Sequence, residues 1–225
     1  MQAYDAIVFD FDGVILESVA LKARAFRRLF EAYPEQQERI VQLHLQNGGW
    51  SRYEKFRRIY ADFLHLPLSD QEMARLDAAF AALVAEEMAT CPFVAGARAF
   101  IERRASECPL FVASGTPEDE LRAVMATRGL SQYFTGIYGS PPAKATLLRR
   151  IVCEVGAPPS AVLFIGDSMP DYQAAVQIGV AFVGRVPVGA PSPFPPSQQF
   201  LVHDLDELEA WWSKHARPGS GFRRG

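Results

Sequence analysis

Cysteine is scarce in this chain: Cys91, Cys108 and Cys153 are the only three among 225 residues. An odd number, widely spaced and set in apolar or helical contexts, argues against a disulfide framework and reads as buried free thiols in a reducing cytoplasm. Basic charge is not in excess either. With 23 Lys and Arg against 26 Asp and Glu, the net charge is −3 and the pI is near 5.8. The chain therefore exerts no general pull on nucleic acid or an anionic membrane. No apolar run reaches the ~20 residues of a membrane span. Met1 to Val14 lacks the charged and apolar regions of a signal peptide, and no internal repeat is present. These absences lead to the expectation of a soluble, cytoplasmic protein with no nucleic-acid or membrane partner. His44, His65, His203 and His215 share no ligand spacing, which points to surface or structural roles.

Apolar content is ample. At 49% hydrophobic residues, the chain can bury a full core as one large domain or as one domain carrying an insert. Its organising stretch is Ala6-Ile7-Val8-Phe9-Asp10-Phe11-Asp12-Gly13. Four residues suited to a strand buried on both faces run into two carboxylates one residue apart, and a glycine lets the chain turn. Such carboxylates stand at the C-terminal edge of a strand, where open α/β sheets bind ligands. Taken alone, a pair such as Asp10 and Asp12 is more often the start of an ordinary acidic turn.

From about Ser18 to Thr90 the pattern is helical throughout. Val19, Ala23, Phe26, Phe30 and Tyr33 keep helical spacing up to Pro34. Ile40, Leu43 and His44 mark a second helix that Asn47-Gly48-Gly49 breaks. Ser51, with Glu54 three residues on, is an N-cap for a third helix carrying Tyr53, Phe56, Ile59, Tyr60, Phe63 and Leu64. Met73, Leu76, Phe80, Leu83, Val84 and Met88 form a fourth stripe. The simplest account is a helical domain at residues 17–90, inserted after the first strand of a core made of residues 1–16 and 91–225.

Beyond Pro92, strands and helices alternate. Leu110 to Ala113 is a buried strand ending in Ser114-Gly115, after which Thr116-Pro117 reads as the N-cap and first position of a helix. Gly136 to Gly139 is a short strand, followed by a helix from Lys144 that Gly156 stops. Val162 to Ile165 delivers Gly166-Asp167-Ser168-Met169-Pro170-Asp171, and Ala181 to Gly184 completes the strands. This alternation predicts an α/β fold: a Rossmann-like parallel sheet with helices on both faces and right-handed crossovers. Pro187 to Ser197 reads as a loop, Leu205 to Trp212 as a last helix and Arg217 to Gly225 as a disordered tail.

Four strand ends thus carry polar chemistry: DFDGV with Asp10 and Asp12, ASGTP with Ser114, GSPPAK with Lys144, and GDSMPD with Asp167 and Asp171. In that order, and over nearly the whole chain, they resemble the four motifs of the haloacid dehalogenase superfamily, in a phosphatase-like member with a helical cap. The resemblance implies a Mg²⁺-dependent hydrolase acting on a small phosphorylated metabolite, such as a sugar phosphate or a phosphoglycolate-like ester. The chemistry agrees, because phosphoryl transfer needs a nucleophile, relief of charge on the phosphoryl oxygens and a proton for the leaving oxygen. Asp10 would be the nucleophile and Asp12 the acid and base. Ser114, Gly115 and Lys144 would hold phosphate. Asp10, the backbone carbonyl of Asp12 and Asp167 would hold Mg²⁺, with Asp171 orienting Lys144 or a metal water. Lys144 also fits a solvated helix-start lysine, Ser114 a turn cap and Asp171 a helix-start acid.

In this resemblance an aspartate two residues after the nucleophile marks phosphatases and phosphomutases, and argues against carbon–halogen and carbon–phosphorus cleavage. Gly48-Gly49-Trp50-Ser51-Arg52 resembles the specificity loop of helical caps. Arg52 would hold a distal substrate group there, or stand as an exposed helix-start arginine, and Trp50 would stack on a ring or seal the cap. Glu17-Ser18 and Lys22 occupy places where many relatives have Asp-Ser and a histidine, and Lys22 joins Arg52 as a substrate-binding candidate. That departure favours hydrolysis over a β-phosphoglucomutase-like isomerisation. The third reading is a non-catalytic binding module, which would not require both Asp10 and Asp12.

Overall fold

In the computed structural model, which describes residues 4–215, strand order decides where a ligand can bind. Strands β1 (Ala6–Phe9), β2 (Leu110–Pro117), β3 (Gly136–Ser140), β4 (Val162–Gly166), β5 (Ala181–Arg185) and β6 (Leu201–Val202) form one sheet in the order β3-β2-β1-β4-β5-β6. Every pairing is parallel. From β1 the chain builds outward to one side, then returns to lay β4 on the other. The strand order reverses at β1, and the crevice outside its C-terminal end is the switch point where such sheets bind ligands. β6, only two residues long, is an addition to the strands expected from sequence. It lacks the run of apolar residues by which a strand is recognised.

The central strands are buried on both faces, as their unbroken apolar runs require. The alternation of side chains divides them between two cores. Ile7, Phe9, Leu110, Val112, Leu163 and Ile165 face one core, while Ala6, Val8, Phe111, Ala113, Val162 and Phe164 face the other.

Between β1 and β2 lie α1 (Val19–Leu29), α2 (Gln37–Gln46), α3 (Arg52–Arg58), α4 (Asp70–Thr90) and α5 (Ala97–Arg104). α3 continues into a π-helical turn, Ile59–Leu64. Ser51 caps α3 by accepting from Glu54 N at 3.2 Å, as its spacing predicts. α1 stops at Leu29, short of Pro34, because Phe30 leaves helical geometry. The first four helices share an aromatic centre in which Phe26 packs on Phe80 at 4.8 Å and on Phe56 at 5.9 Å. The two chain crossings between these helices and the sheet are tied to each other, Glu17 N donating to Pro92 O and Val94 N to Ile15 O.

The remaining helices are α6 (Glu118–Thr127), α7 (Lys144–Val155), α8 (Met169–Ile178) and α9 (Leu205–His215). α6 corrects the sequence reading: β2 runs on through Thr116 to Pro117, the helix begins at Glu118, and Thr116 caps nothing. Cys91 is buried and Cys108 half-buried, but Cys153 is exposed. The thiols are therefore free, as expected, without all being inside. The tail expected at residues 217–225 lies outside the described residues. No described helix is long and apolar enough to cross a membrane.

Candidate active site

The end of β1 places Asp10 at the switch point, almost fully buried. Its Oδ1 accepts from its neighbour's backbone, Phe11 N, at 2.7 Å. Lys144, the first residue of α7, reaches it with Nζ–Oδ1 at 2.7 Å and also meets Asp171 Oδ1 at 2.9 Å and Ala113 O at 2.8 Å. Lys144 is thus a buried ammonium joining the end of β1, the strand β2 and the start of α8, and the solvated helix-start reading falls away. Burial opposes its charge, but Asp10 and Asp171 outweigh burial and hold its pKa above the ordinary lysine value. Asp171 does two things at once. Its other oxygen accepts from Ser168 N at 3.2 Å in a capping box at the start of α8.

One oxygen each from Asp10, Asp167 and Asp171 lie within 4.8 Å of one another. Burial, followed by Asp10 and Asp171, pushes the Asp167 carboxyl well above its usual range, and its buried Oδ1 has no hydrogen-bond partner. Three carboxylates facing a single ammonium, with a buried oxygen left over, fit a hard divalent cation that takes oxygen ligands. Gly13 makes room for this cluster. Its φ is +72°, and a Cβ there would stand 2.0 Å from Asp167 Oδ2, so both the turn and the space require glycine.

Asp12 faces a different set of partners. Lys22 of α1 donates to its Oδ2 at 2.6 Å and Thr116 Oγ1 donates to the same oxygen at 2.9 Å, while Ser18 Oγ donates to Oδ1. Lys22 Nζ also reaches Thr116 Oγ1 at 2.8 Å. Burial works against ionisation of Asp12, but Lys22, with the hydrogen bonds from Ser18 and Thr116, holds its pKa down to about 2. Its carboxylate is committed to these donors and stands outside the three-carboxylate cluster. Thr116 was invisible as a site residue in sequence, where Thr-Pro reads as a helix cap. It arrives because the β2–β3 pairing loses register between Ala113 and Pro117, the stretch that holds Ser114 and Gly115. Ser114 Oγ accepts from Thr116 N at 3.1 Å and so shapes this turn.

A pocket of ≈460 Å³, its open mouth included, lies between these strand ends and the inserted helices. The loop after α2 closes one side: Gly49 N donates to Ser168 Oγ at 3.0 Å, and a Cβ on Gly115 would meet Trp50 O at 2.8 Å. Trp50, Lys22 and Arg52 line the pocket as the sequence suggested, but the two cations are not free. Lys22 belongs to Asp12. Arg52 is buried, not an exposed helix-start arginine, and pairs with Asp77 of α4 at 3.1 Å and with Glu120 of α6 while lying over the Phe80 ring. Its donors are taken by carboxylates from both sides of the pocket.

Besides Thr116, two more polar residues of the pocket, Lys55 and His44, were not singled out as site residues. Lys55, 3% exposed, donates to His44 Nδ1 at 3.1 Å and approaches Gly48 O at 3.5 Å. Sequence shows Lys55 as one more polar residue on an amphipathic helix and His44 as a lone histidine. Only the packing of α2 against α3 buries the two together.

The model of haloacid dehalogenase-like hydrolases matches residues 4–179. A phosphoglycolate phosphatase of Synechococcus elongatus is 29% identical over 190 residues, 79% of this chain and 82% of that protein. Among solved structures, CbbY from Rhodobacter sphaeroides in complex with phosphate superposes with a TM-score of 0.73 at 20% identity, covering 91% of this chain and 96% of that one. A protein of Haemophilus somnus described as a predicted phosphoglycolate phosphatase gives 0.73 at 18% identity, covering 94% and 99%. At these identities the solved structures speak for the fold.

Proposed function

The chain belongs to the haloacid dehalogenase-like hydrolases, and from that premise we propose that it is a Mg²⁺-dependent phosphatase of a small phosphorylated metabolite, a sugar phosphate or a phosphoglycolate-like ester. The observation that carries this reading is the separation of the two carboxylates after β1: Asp10 lies with Lys144 within the acidic cluster, and Asp12 lies apart with Lys22 and Thr116. One position suits a nucleophile and the other a proton carrier. On the same reading, residues 17–90 act as a cap over a catalytic core of residues 1–16 and 91–225.

In the first step Asp10 attacks phosphorus, a bond forms between its carboxylate oxygen and phosphorus, and the ester bond to the leaving alcohol breaks. The alcohol oxygen takes a proton from Asp12. Asp12 is held ionised by Lys22 in the free protein; the negative phosphoryl group arriving beside it raises its proton affinity, and Asp12 takes up from solvent the proton that it then gives to the leaving oxygen. In the second step water attacks phosphorus and gives its proton back to Asp12. The bond to Asp10 breaks, releasing inorganic phosphate and restoring the carboxylate. Lys144 neutralises charge on Asp10 and a phosphoryl oxygen, and Ser114 with the backbone around Gly115 offers donors to another. Asp10, Asp167, Asp171 and the carbonyl of Asp12 would hold Mg²⁺. When bound, it would offset the charge of the phosphoryl oxygens and of the carboxylates around them.

Asp10→Asn tests the reading. With Mg²⁺ and a panel of phosphomonoesters, turnover falls at least about 10³-fold while circular dichroism shows an unchanged fold. Undiminished turnover removes Asp10 from the nucleophile's place.

A further inference from the structure

Three basic side chains line the pocket, and two of them are accounted for. Lys22 is paired with Asp12, and Arg52 with Asp77 and Glu120. Lys55 is different. It is the most buried of the three residues, 3% exposed against 5% for Arg52 and 8% for Lys22, and among the described residues no carboxylate lies within 4 Å of its ammonium. Its neighbours are a histidine nitrogen and a carbonyl oxygen, at 3.1 Å and 3.5 Å. A buried cation without an anion costs several kcal/mol in general, and proteins keep such groups where a ligand completes them. The wall around it is fitted to hold it in place. His44 is stacked on Phe26 with ring centroids 4.8 Å apart, which fixes the ring that receives the Lys55 hydrogen bond. Lys55 itself lies 5.8 Å from the centre of the Phe26 ring.

The pocket also has a direction. Asp12, Thr116 and Asp167 line its floor at the strand ends, while Lys55, His44 and Phe80 come from the helices that cover it. A phosphoryl group placed at Asp10 therefore sends its leaving portion toward Lys55. We propose that Lys55, positioned by His44, is the residue that selects the substrate, by pairing with a second anionic group, a carboxylate or a phosphate, on the leaving portion of the phosphomonoester. This assigns to Lys55 the task that sequence gave to Arg52, whose guanidinium is already occupied. The inference rests on the phosphatase reading. The charge on Lys55 is itself unsettled without a ligand: burial, and then Lys22, bring its pKa down to about 7, and an incoming anion restores the ammonium.

The test compares two pairs of substrates in the full-length protein with Mg²⁺: 2-phosphoglycolate with 2-hydroxyethyl phosphate, and glucose 1,6-bisphosphate with glucose 6-phosphate. Each pair differs by one anionic group. Wild-type protein favours the charged member of at least one pair in kcat/KM, and the pair it favours tells a carboxylate from a phosphate. Lys55→Met reduces that preference by about tenfold to a hundredfold, the worth of one hydrogen-bonded charge. The loss is carried in KM, and Lys55→Arg restores part of it. No preference in wild type, or a preference that Lys55→Met leaves intact, overturns the proposal while leaving the phosphatase reading in place. Absence of turnover by wild type on all four esters overturns both. Should Lys55→Met not fold, Lys55→Gln takes its place in the same comparison, and the calorimetric affinity of Asp10→Asn for the favoured ester, with and without Lys55→Gln, has to fall by the same factor.

Discussion

Lys55 has a thermodynamic signature as well as a chemical one. Its folded-state pKa of about 7 lies below the ordinary lysine value of 10.5, so between those values the unfolded chain holds more protons than the folded one. Stability gains from this group as pH rises through that window, and the full penalty is present below it. Lys55→Met removes the penalty. The variant is more stable than wild type at pH 7 by on the order of a few kcal/mol, and urea titrations at pH 7 and pH 9.5 show that gain shrinking at the higher pH. A lysine kept for structure gives the opposite sign. The same scale separates the thiols. Burial pushes the Cys108 thiol up to about 12 and also raises that of Cys91, whereas Cys153 is exposed on α7. Iodoacetamide at pH 8 therefore modifies Cys153 first, read by mass spectrometry of the native protein. At the scale of single residues, sequence carried the acids and Lys144 because each sits at a strand end in a recognisable order. It could not carry His44, Lys55 or the pairing of Arg52, since burial of a cation depends on which helices meet.

Elements were the most legible level. β1, β2 and β4 announce themselves as unbroken apolar runs because both their faces are covered, and the amphipathic helices between Val19 and Met88 by their period. What stayed hidden was the conformation at element ends, where a residue or two decides the function. Thr116 continues β2 when its side chain was expected to cap α6, and that difference turns a turn residue into a partner of Asp12. Gly115 sits in the same stretch and is packed by backbone: a Cβ there meets Trp50 O at 2.8 Å and Gly49 O at 3.0 Å. Neither carbonyl can give way as the tip of a flexible side chain would. Gly115→Ala therefore pushes the loop after α2 away from the end of β2 and loosens the donation from Gly49 N to Ser168 Oγ. The expected result is a KM raised about tenfold on the best ester, with faster amide exchange across residues 47–51 and an unchanged circular dichroism spectrum.

At the scale of the whole molecule, the candidate active site is a seam between two parts of the chain. Helices α1 to α4 leave after β1 and return before α5, and the contacts that bind them across the pocket are polar: Lys22 with Asp12 and Thr116, Gly49 with Ser168, and Arg52 with Glu120. The order of strands and helices was readable along the chain, but this closure was not, because apart from Lys22–Asp12 its partners lie 68 to 119 residues apart. Of the three contacts, Arg52–Glu120 is the one that serves closure alone, since the others also touch Asp12 or the start of α8. Glu120→Gln leaves Arg52 its ion pair with Asp77 on its own side of the pocket, so no buried charge is stranded. Glu120 is a third exposed, which limits the lost pairing to about 1 kcal/mol or less, or up to about fivefold in the opening equilibrium. Amide exchange in α2 and α3 should speed up by no more than that factor while β1 and β4 exchange as before, and the melting temperature should hardly move. If exchange rises equally in β1 and β4, the bond contributes to global stability and does not hold the inserted helices shut. If it rises only in the helices, Arg52 acts as a closing contact across the pocket, leaving Lys55 to meet the substrate.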